Sequence, residues 1–219
     1  MPKTMQFAVI GLGAFGANVA QWLAEKDHYV IAIERDPELA KPLRDICRQV
    51  VVADATESEV LKSLGLDQVD AAVVGVGRDI GSSNLIVLHL RELGVKRIVA
   101  KAVNPTHEKL LRYIGAHEII VPERDMALRV AEKLAAPKVH DVTTIGGNIS
   151  VVELDLPIFM QGKTIIEADI RSHYGILIAA IRYANGKIEV APNVNSPFKG
   201  DERLIVIGDP ERVQKFEEA

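Results

Sequence analysis

The feature that most constrains this fold is a short apolar run, residues 6–10, that passes directly into Gly11-Leu12-Gly13-Ala14-Phe15-Gly16. Val19, Trp22 and Leu23 then recur at helical spacing as far as Lys26, so the glycines stand between a strand and a helix. The alternation continues down the chain. Apolar runs at 29–33, 50–53, 71–76, 97–101 and 118–121 read as strands, with helical patterns near 37–46, 56–64, 83–93 and 108–114 between them. Strands and helices alternating at this spacing require crossover connections, and therefore a parallel sheet covered by helices on both faces. The runs are continuously apolar, as strands buried on both sides must be. The fold class is α/β: a Rossmann-type doubly wound parallel sheet, its last strand ending near Pro122.

Beyond it the pattern changes. Met126, Val130 and Leu134 stand one turn apart, which predicts an amphipathic helix over 126–134 stopped by Pro137. Residues 138–148 contain Gly146-Gly147 and little periodicity, and read as a linker. Strands follow at 149–156 and 176–183, with a short helix at 164–172 between them. Asn185-Gly186 predicts a type I′ hairpin turn returning into 187–191, before a strand at 204–207 and a closing helix at 210–218. The expected organisation is a nucleotide-binding domain over 1–137, a linker over 138–148, and a second, smaller α+β domain over 149–219. A domain of about seventy residues often leans on oligomerisation. The apolar run 176–181 suits either its core or a dimer face.

Composition narrows the function classes. Of 219 residues, 48% are hydrophobic and 26% charged, which excludes a disordered or fibrous chain. The net charge of −4 argues against nucleic acid as a partner. Cys47 is the only cysteine, so neither an internal disulfide nor a cysteine-rich zinc site is available, and a reducing cytoplasmic setting fits. Lys3 precedes an uncharged run, Thr4 to Ala24, of the kind found in targeting segments. Its glycines have the better explanation given above.

A lone glycine pattern is weak evidence, but this one follows a strand, opens a helix, and has an acid at the end of the second strand. Gly11 permits the tight turn, Gly13 lets the backbone approach a pyrophosphate, and Gly16 lets the helix pack closely on the strand. The helix N-terminus offers free N–H groups to phosphate. Glu34 stands about where a carboxylate binds the ribose hydroxyls. That carboxylate disfavours NADP, whose 2′-phosphate it repels, without separating NAD from ATP, ADP or AMP. Asp54-Ala55-Thr56, after the third strand, borders the same crevice. Asp54 is placed to receive an adenine amino group or to serve as a solvated turn residue, and Thr56 with Glu59 forms a capping box. Gly77-Arg78 follows the fourth strand, where Arg78 is either a phosphate contact or a surface arginine.

Three enzyme signatures fail on geometry. Tyr183 and Lys187 have the spacing of a dehydrogenase Tyr-x-x-x-Lys pair, but the turn between them keeps them off a common helix face. Gly162-Lys163-Thr164 resembles the end of a P-loop, yet Pro157 stands where its first glycine belongs. The six histidines show no H-E-x-x-H spacing, and no nucleophile elbow accompanies a serine. No catalytic residue is assigned, and the reading is a binding protein rather than an enzyme. An NAD(H)-dependent oxidoreductase or NAD(H)-responsive sensor is the alternative.

The chain resembles the cytosolic regulatory subunits of bacterial Ktr/Trk potassium uptake systems, which pair an RCK (regulator of potassium conductance) nucleotide domain with a smaller RCK C-terminal domain. The resemblance rests on Phe7 through Gly16, on Asp54-Ala-Thr56, and on the stretch from Gly94 to Leu134. That stretch holds Val99-Ala-Lys101, Ile114-Gly-Ala116 and the specific Val121-Pro-Glu-Arg-Asp-Met126. Gly200-Asp201 and Val206-Ile-Gly208 resemble the second domain. The resemblance implies dimers assembled into a ring, commonly an octamer, docked on the inner face of the membrane under a potassium-transporting subunit. It implies ATP or ADP as the effector, with Glu34 on the ribose and Lys101 near the phosphates. It further implies Glu123 at a dimer interface with a divalent cation, Mg²⁺ or Ca²⁺, and a crossover helix over 126–134. Ala14 departs from the arginine common at that position, which removes a contact to the terminal phosphate.

Overall fold

In the computed structural model, which describes residues 4–135, 138–146 and 148–219, the chain forms two compact units that divide between Arg124 and Asp125. Lys3, Pro137 and Gly147, which figured in the expectations above, lie outside the described residues.

The first unit runs β1 (Gln6–Ile10), α1 (Ala14–Glu25), β2 (Tyr29–Glu34), α2 (Pro37–Ala40), β3 (Gln49–Val52), α3 (Ser58–Ser63) and β4 (Ala71–Val74). It continues through α4 (Ile80–Glu92), β5 (Ile98–Lys101), α5 (Pro105–Ile114) and β6 (Glu118–Ile120) into α6 (Pro122–Ala135). Its six strands are all parallel, in the order β3-β2-β1-β4-β5-β6. This is the doubly wound sheet expected. Successive β1 residues feed two cores: Ala8 and Ile10 pack with Ile31, Ile33, Leu61 and Leu90, while Val9 packs with Leu12, Ala20, Val30 and Ala32. Both faces are dry, hence the unbroken apolar runs. Because β2 and β4 flank β1 on opposite sides, the chain leaves the sheet in opposite directions there, and a crevice opens at the strands' carboxyl ends.

The second unit holds β7 (Val139–Gly146), β8 (Ile149–Asp155), α7 (Ile165–Ala168), α8 (Ile170–Tyr174), β9 (Leu177–Arg182), β10 (Ile188–Val190), β11 (Arg203–Gly208) and α9 (Pro210–Glu217). Its antiparallel sheet has the order β10-β9-β11-β8-β7. One face is buried: Val152, Leu154, Leu204 and Val206 pack with Met160, Val213 and Phe216. Phe216 of α9 meets Phe159 and Tyr174 edge-on, with ring centroids 5.9 and 5.2 Å away. Burying such a side chain is worth roughly 1.5–3 kcal/mol.

Several expectations are corrected. Residues 138–148 are not a linker: β7 pairs antiparallel with β8 over most of that stretch. Register shifts at Val139/Asp141 and Thr144/Gly146 break the two-residue alternation, which is why no strand period is visible there. The helix expected from Met126 begins at Pro122, a favourable first-turn residue. The single helix at 164–172 is two short ones, broken where Asp169 adopts φ +42°. The hairpin turn is not type I′. Gly186 has φ +82°, and Asn185 is not among the residues of positive φ. The Gly186 N–H donates to the Tyr183 carbonyl, and the Tyr183 N–H to that of Lys187, a three-residue loop closed by a left-handed glycine. Tyr183 and Lys187 thus flank a turn, and the Tyr183 hydroxyl donates to Glu189.

Candidate functional site

The crevice at the carboxyl ends of β1, β2, β3, β4 and β5 encloses about 730 Å³. At its centre, Gly11 has φ +85°, and a Cβ there would stand 2.9 Å from the Val76 backbone nitrogen. Only glycine fits. A Cβ on Gly16 would lie 1.9 Å from the Gly11 carbonyl oxygen, so α1 packs against the loop without a side chain between them. A Cβ on Gly13, by contrast, would meet nothing within 4 Å, and the space over that residue opens to the crevice.

Helix α1 starts with no side-chain cap and no acid in its first turn. The neighbouring α2, α4 and α5 are capped by Asp36, Asp79 and Asn104. The first N–H groups of α1 therefore remain available to an anion.

Glu34 terminates β2. Its Oε1 accepts from the N–H groups of Arg35 and Asp36 at 2.9 and 3.0 Å, and its Oε2 from the Leu12 N–H at 2.6 Å. Three backbone donors fix the carboxylate at the lip of the glycine loop and leave one lone pair, on Oε2, available to a hydroxyl donor. Asp54 accepts from the Thr56 N–H at 2.9 Å and the Thr56 hydroxyl at 2.7 Å. These bonds hold its carboxyl below its usual range, with a smaller contribution from the Arg35 charge. The expected capping box between Thr56 and Glu59 is absent, because α3 starts at Ser58 and Glu59 bonds Lys62 instead. Asp79 accepts from the Ser82 hydroxyl and N–H, which lower its pKa in the same way. Lys101 Nζ lies 2.5 Å from Glu123 Oε1, and that hydrogen bond lowers the Glu123 pKa.

The crevice brings together Gly11, Gly13, Ala14, Phe15, Glu34, Asp54, Ala55, Thr56, Gly77, Arg78, Lys101 and Glu123. Among the anticipated residues, Gly16 alone does not line it; its part is the close packing just described. Residues 7–122 match the TrkA-N domain family and residues 160–219 the TrkA-C domain family. The chain belongs to the TrkA family. Ktr system potassium uptake protein C of Bacillus subtilis (strain 168) is 38% identical over 212 residues, covering 97% of this chain and 96% of the relative. Two solved structures share the fold. The GsuK channel bound to NAD superposes with a TM-score of 0.64 at 20% identity, over 96% of this chain and 38% of that one. GsuK bound to ADP gives 0.52 at 20% identity, over 63% and 35%.

Sequence reasoning missed several crevice residues of this TrkA-family chain: Arg35, Asp36, Leu39, Asp79, Ser82 and Val103. Arg35, Asp36 and Val103 lie just past the carboxyl end of a strand, which is the signal that would have found them. Arg35 is the most consequential, since it adds a second arginine to the crevice lining. Arg78 makes no hydrogen bond or ion pair among the described residues. Among the described residues no three His, Cys, Asp or Glu side chains converge, and Glu123 is engaged by Lys101. No helix of the described residues is long and apolar enough to cross a membrane.

Proposed function

We propose that this TrkA-family chain is a nucleotide-gated, non-enzymatic regulatory subunit of a potassium uptake transporter, with ATP or ADP bound in the crevice. The observation that carries the reading is Glu34, fixed by three backbone N–H groups beside an uncapped helix. A carboxylate so held receives a ribose hydroxyl on its open Oε2 site, and the α1 N-terminus, with Gly13 beneath it, receives the phosphates. Arg78 and Lys101 supply positive charge from the opposite wall, and Asp54 and Ala55 border the adenine.

The relationship to a Ktr system potassium uptake protein over nearly its full length supports the assignment to potassium uptake. The chain then works in the cytoplasm, as a homo-oligomer built from dimers, an octameric ring in this proposal, docked on the membrane-embedded potassium-transporting subunit. Nucleotides of different phosphate charge bind the ring's conformations unequally and shift their populations, which gates ion flux. A divalent cation at Glu123 belongs to this reading only with phosphate oxygens and a second chain completing its ligands.

NAD(H) is the second ligand class, favoured by the NAD complex of GsuK, a channel of the same fold. Calorimetry with ATP, ADP and NADH on the full chain decides between them. Micromolar ADP or ATP binding that weakens in Glu34→Ala supports the proposal. Binding of NADH alone replaces it with the second reading.

A further inference from the structure

Of the crevice cations Arg35, Arg78 and Lys101, only Lys101 has a carboxylate within ion-pair distance among the described residues. The pairing is a product of the sheet. Lys101 ends β5 in register with Ile120 of β6, and Glu123 follows three residues later in the first turn of α6. The lysine stem lies beside the β4 loop, its Nζ 3.7 Å from where a Gly77 Cβ would stand. The two partners differ sharply in exposure: the Lys101 side chain is 14% exposed and that of Glu123 67%. The lysine side chain is confined, while the glutamate has water to turn into. The other crevice acids are committed elsewhere, Glu34, Asp36, Asp54 and Asp79 each to backbone or hydroxyl donors.

We propose that the Lys101–Glu123 ion pair is an exchange latch: the phosphate of an entering adenine nucleotide takes Lys101 from Glu123 and frees the first turn of α6 from β5. This rests on the crevice reading above. A lysine whose side chain is mostly covered is costly to leave without a partner, so Lys101 passes from one anion to another and is never left alone. A terminal phosphate carries nearly two charges near neutral pH and outcompetes a single carboxylate. The pyrophosphate of NAD has only singly charged diester groups, and displaces Glu123 less readily than ADP. The Glu123 carboxyl is held below its usual range by the Lys101 bond, so the group displaced is fully ionised. Once released it still sits at the N-terminus of α6, where a negative charge is favourable. The exchange removes only the tether to β5.

The test is a double-mutant cycle in ADP affinity, measured by calorimetry on the full chain in excess chelator, with wild type, Glu123→Gln, Lys101→Met and the double variant. Glu123→Gln leaves Lys101 without its competitor and should tighten ADP about threefold to tenfold, the range of a partly exposed ion pair. In the Lys101→Met background the same substitution should change ADP affinity less than about twofold. Equal tightening in both backgrounds would mean that Glu123 acts by its own repulsion, and overturns the latch. So does unchanged ADP affinity in Glu123→Gln. Lys101→Gln repeats the cycle where the methionine variant fails to fold. If wild type binds ADP but Glu34→Ala leaves that affinity intact, the crevice reading fails and the latch with it. A normal Glu34→Ala loss with a flat cycle removes the latch alone.

Discussion

The Leu12 N–H donates to the Glu34 carboxylate across 2.6 Å, joining the glycine loop to the end of β2. The same carboxylate that would bind ribose therefore also positions the loop that would bind phosphate. Removing it should have two effects in one variant. A lost charge-assisted hydrogen bond to the ribose costs about 1.5–3 kcal/mol, and the Leu12 amide loses its acceptor. Glu34→Ala should weaken ADP about tenfold to a hundredfold by calorimetry. It should also speed amide exchange at Leu12, Arg35 and Asp36 without nucleotide. ADP affinity within twofold of wild type would remove Glu34 from the site.

Ala14 opens α1, is exposed, and lines the crevice beside the open space over Gly13. Ala14→Arg adds a cation there without overpacking the core, so stability should change by less than about 0.5 kcal/mol. A guanidinium placed at the γ-phosphate recognises ATP and finds no such group in ADP. The ATP/ADP affinity ratio should rise about tenfold, the low end for a charge-assisted bond partly exposed to water. Parallel titrations read it. Equal weakening of both nucleotides would show that the arginine only disturbs the loop.

What was legible in the sequence, and what was not, follows from range. The presence and parallel direction of β1 through β6 could be read because each strand is a continuous apolar run joined to the next through a helix. Glu34's place at the end of β2 was legible because it follows from distance along the chain from the glycines. The Lys101–Glu123 pair was not legible from residues alone, since β5–β6 register brings the two together. β7 was hidden for the opposite reason: its two register shifts erase the period that betrays a strand. The Thr56 hydroxyl went to Asp54 rather than to a helix end because α3 begins two residues later than its pattern suggests.

Gly13 and Gly16 should separate binding from folding. In Gly16→Ala the new methyl meets the Gly11 carbonyl oxygen, which is backbone and cannot swing away. Its helix-propensity gain of up to about 1 kcal/mol is outweighed by an overpacking cost of about 3 kcal/mol or more. Gly13→Ala meets nothing within 4 Å among the described residues, so its unfolding midpoint should match wild type. Its methyl occupies the space over the loop, and ADP affinity should fall by at least tenfold. Urea unfolding and ADP calorimetry on both variants check the pair. A Gly13→Ala protein with unaltered ADP binding would place the phosphates elsewhere.

His107, in the first turn of α5, is 1% exposed, and neither of its ring nitrogens has a hydrogen-bond partner among the described residues. Burial lowers its pKa from the ordinary imidazole value of 6.5, because the charged form has lost its water. The unfolded chain therefore takes up this proton at a higher pH than the folded one. Above 6.5 both states are neutral here and the stability is fully present. As pH falls below 6.5 and through the folded pKa, the unfolded state is favoured by up to about 1.4 kcal/mol per pH unit. His107→Leu keeps an apolar side chain of similar size and removes the titrating group. Urea unfolding from pH 7.5 to 5 should show the wild-type midpoint falling below pH 6.5. The variant should lose correspondingly less, and at pH 5.5 should be the more stable of the two. Parallel pH profiles for both proteins would mean that His107 gains a partner on protonation, and that the acid sensitivity lies in other groups.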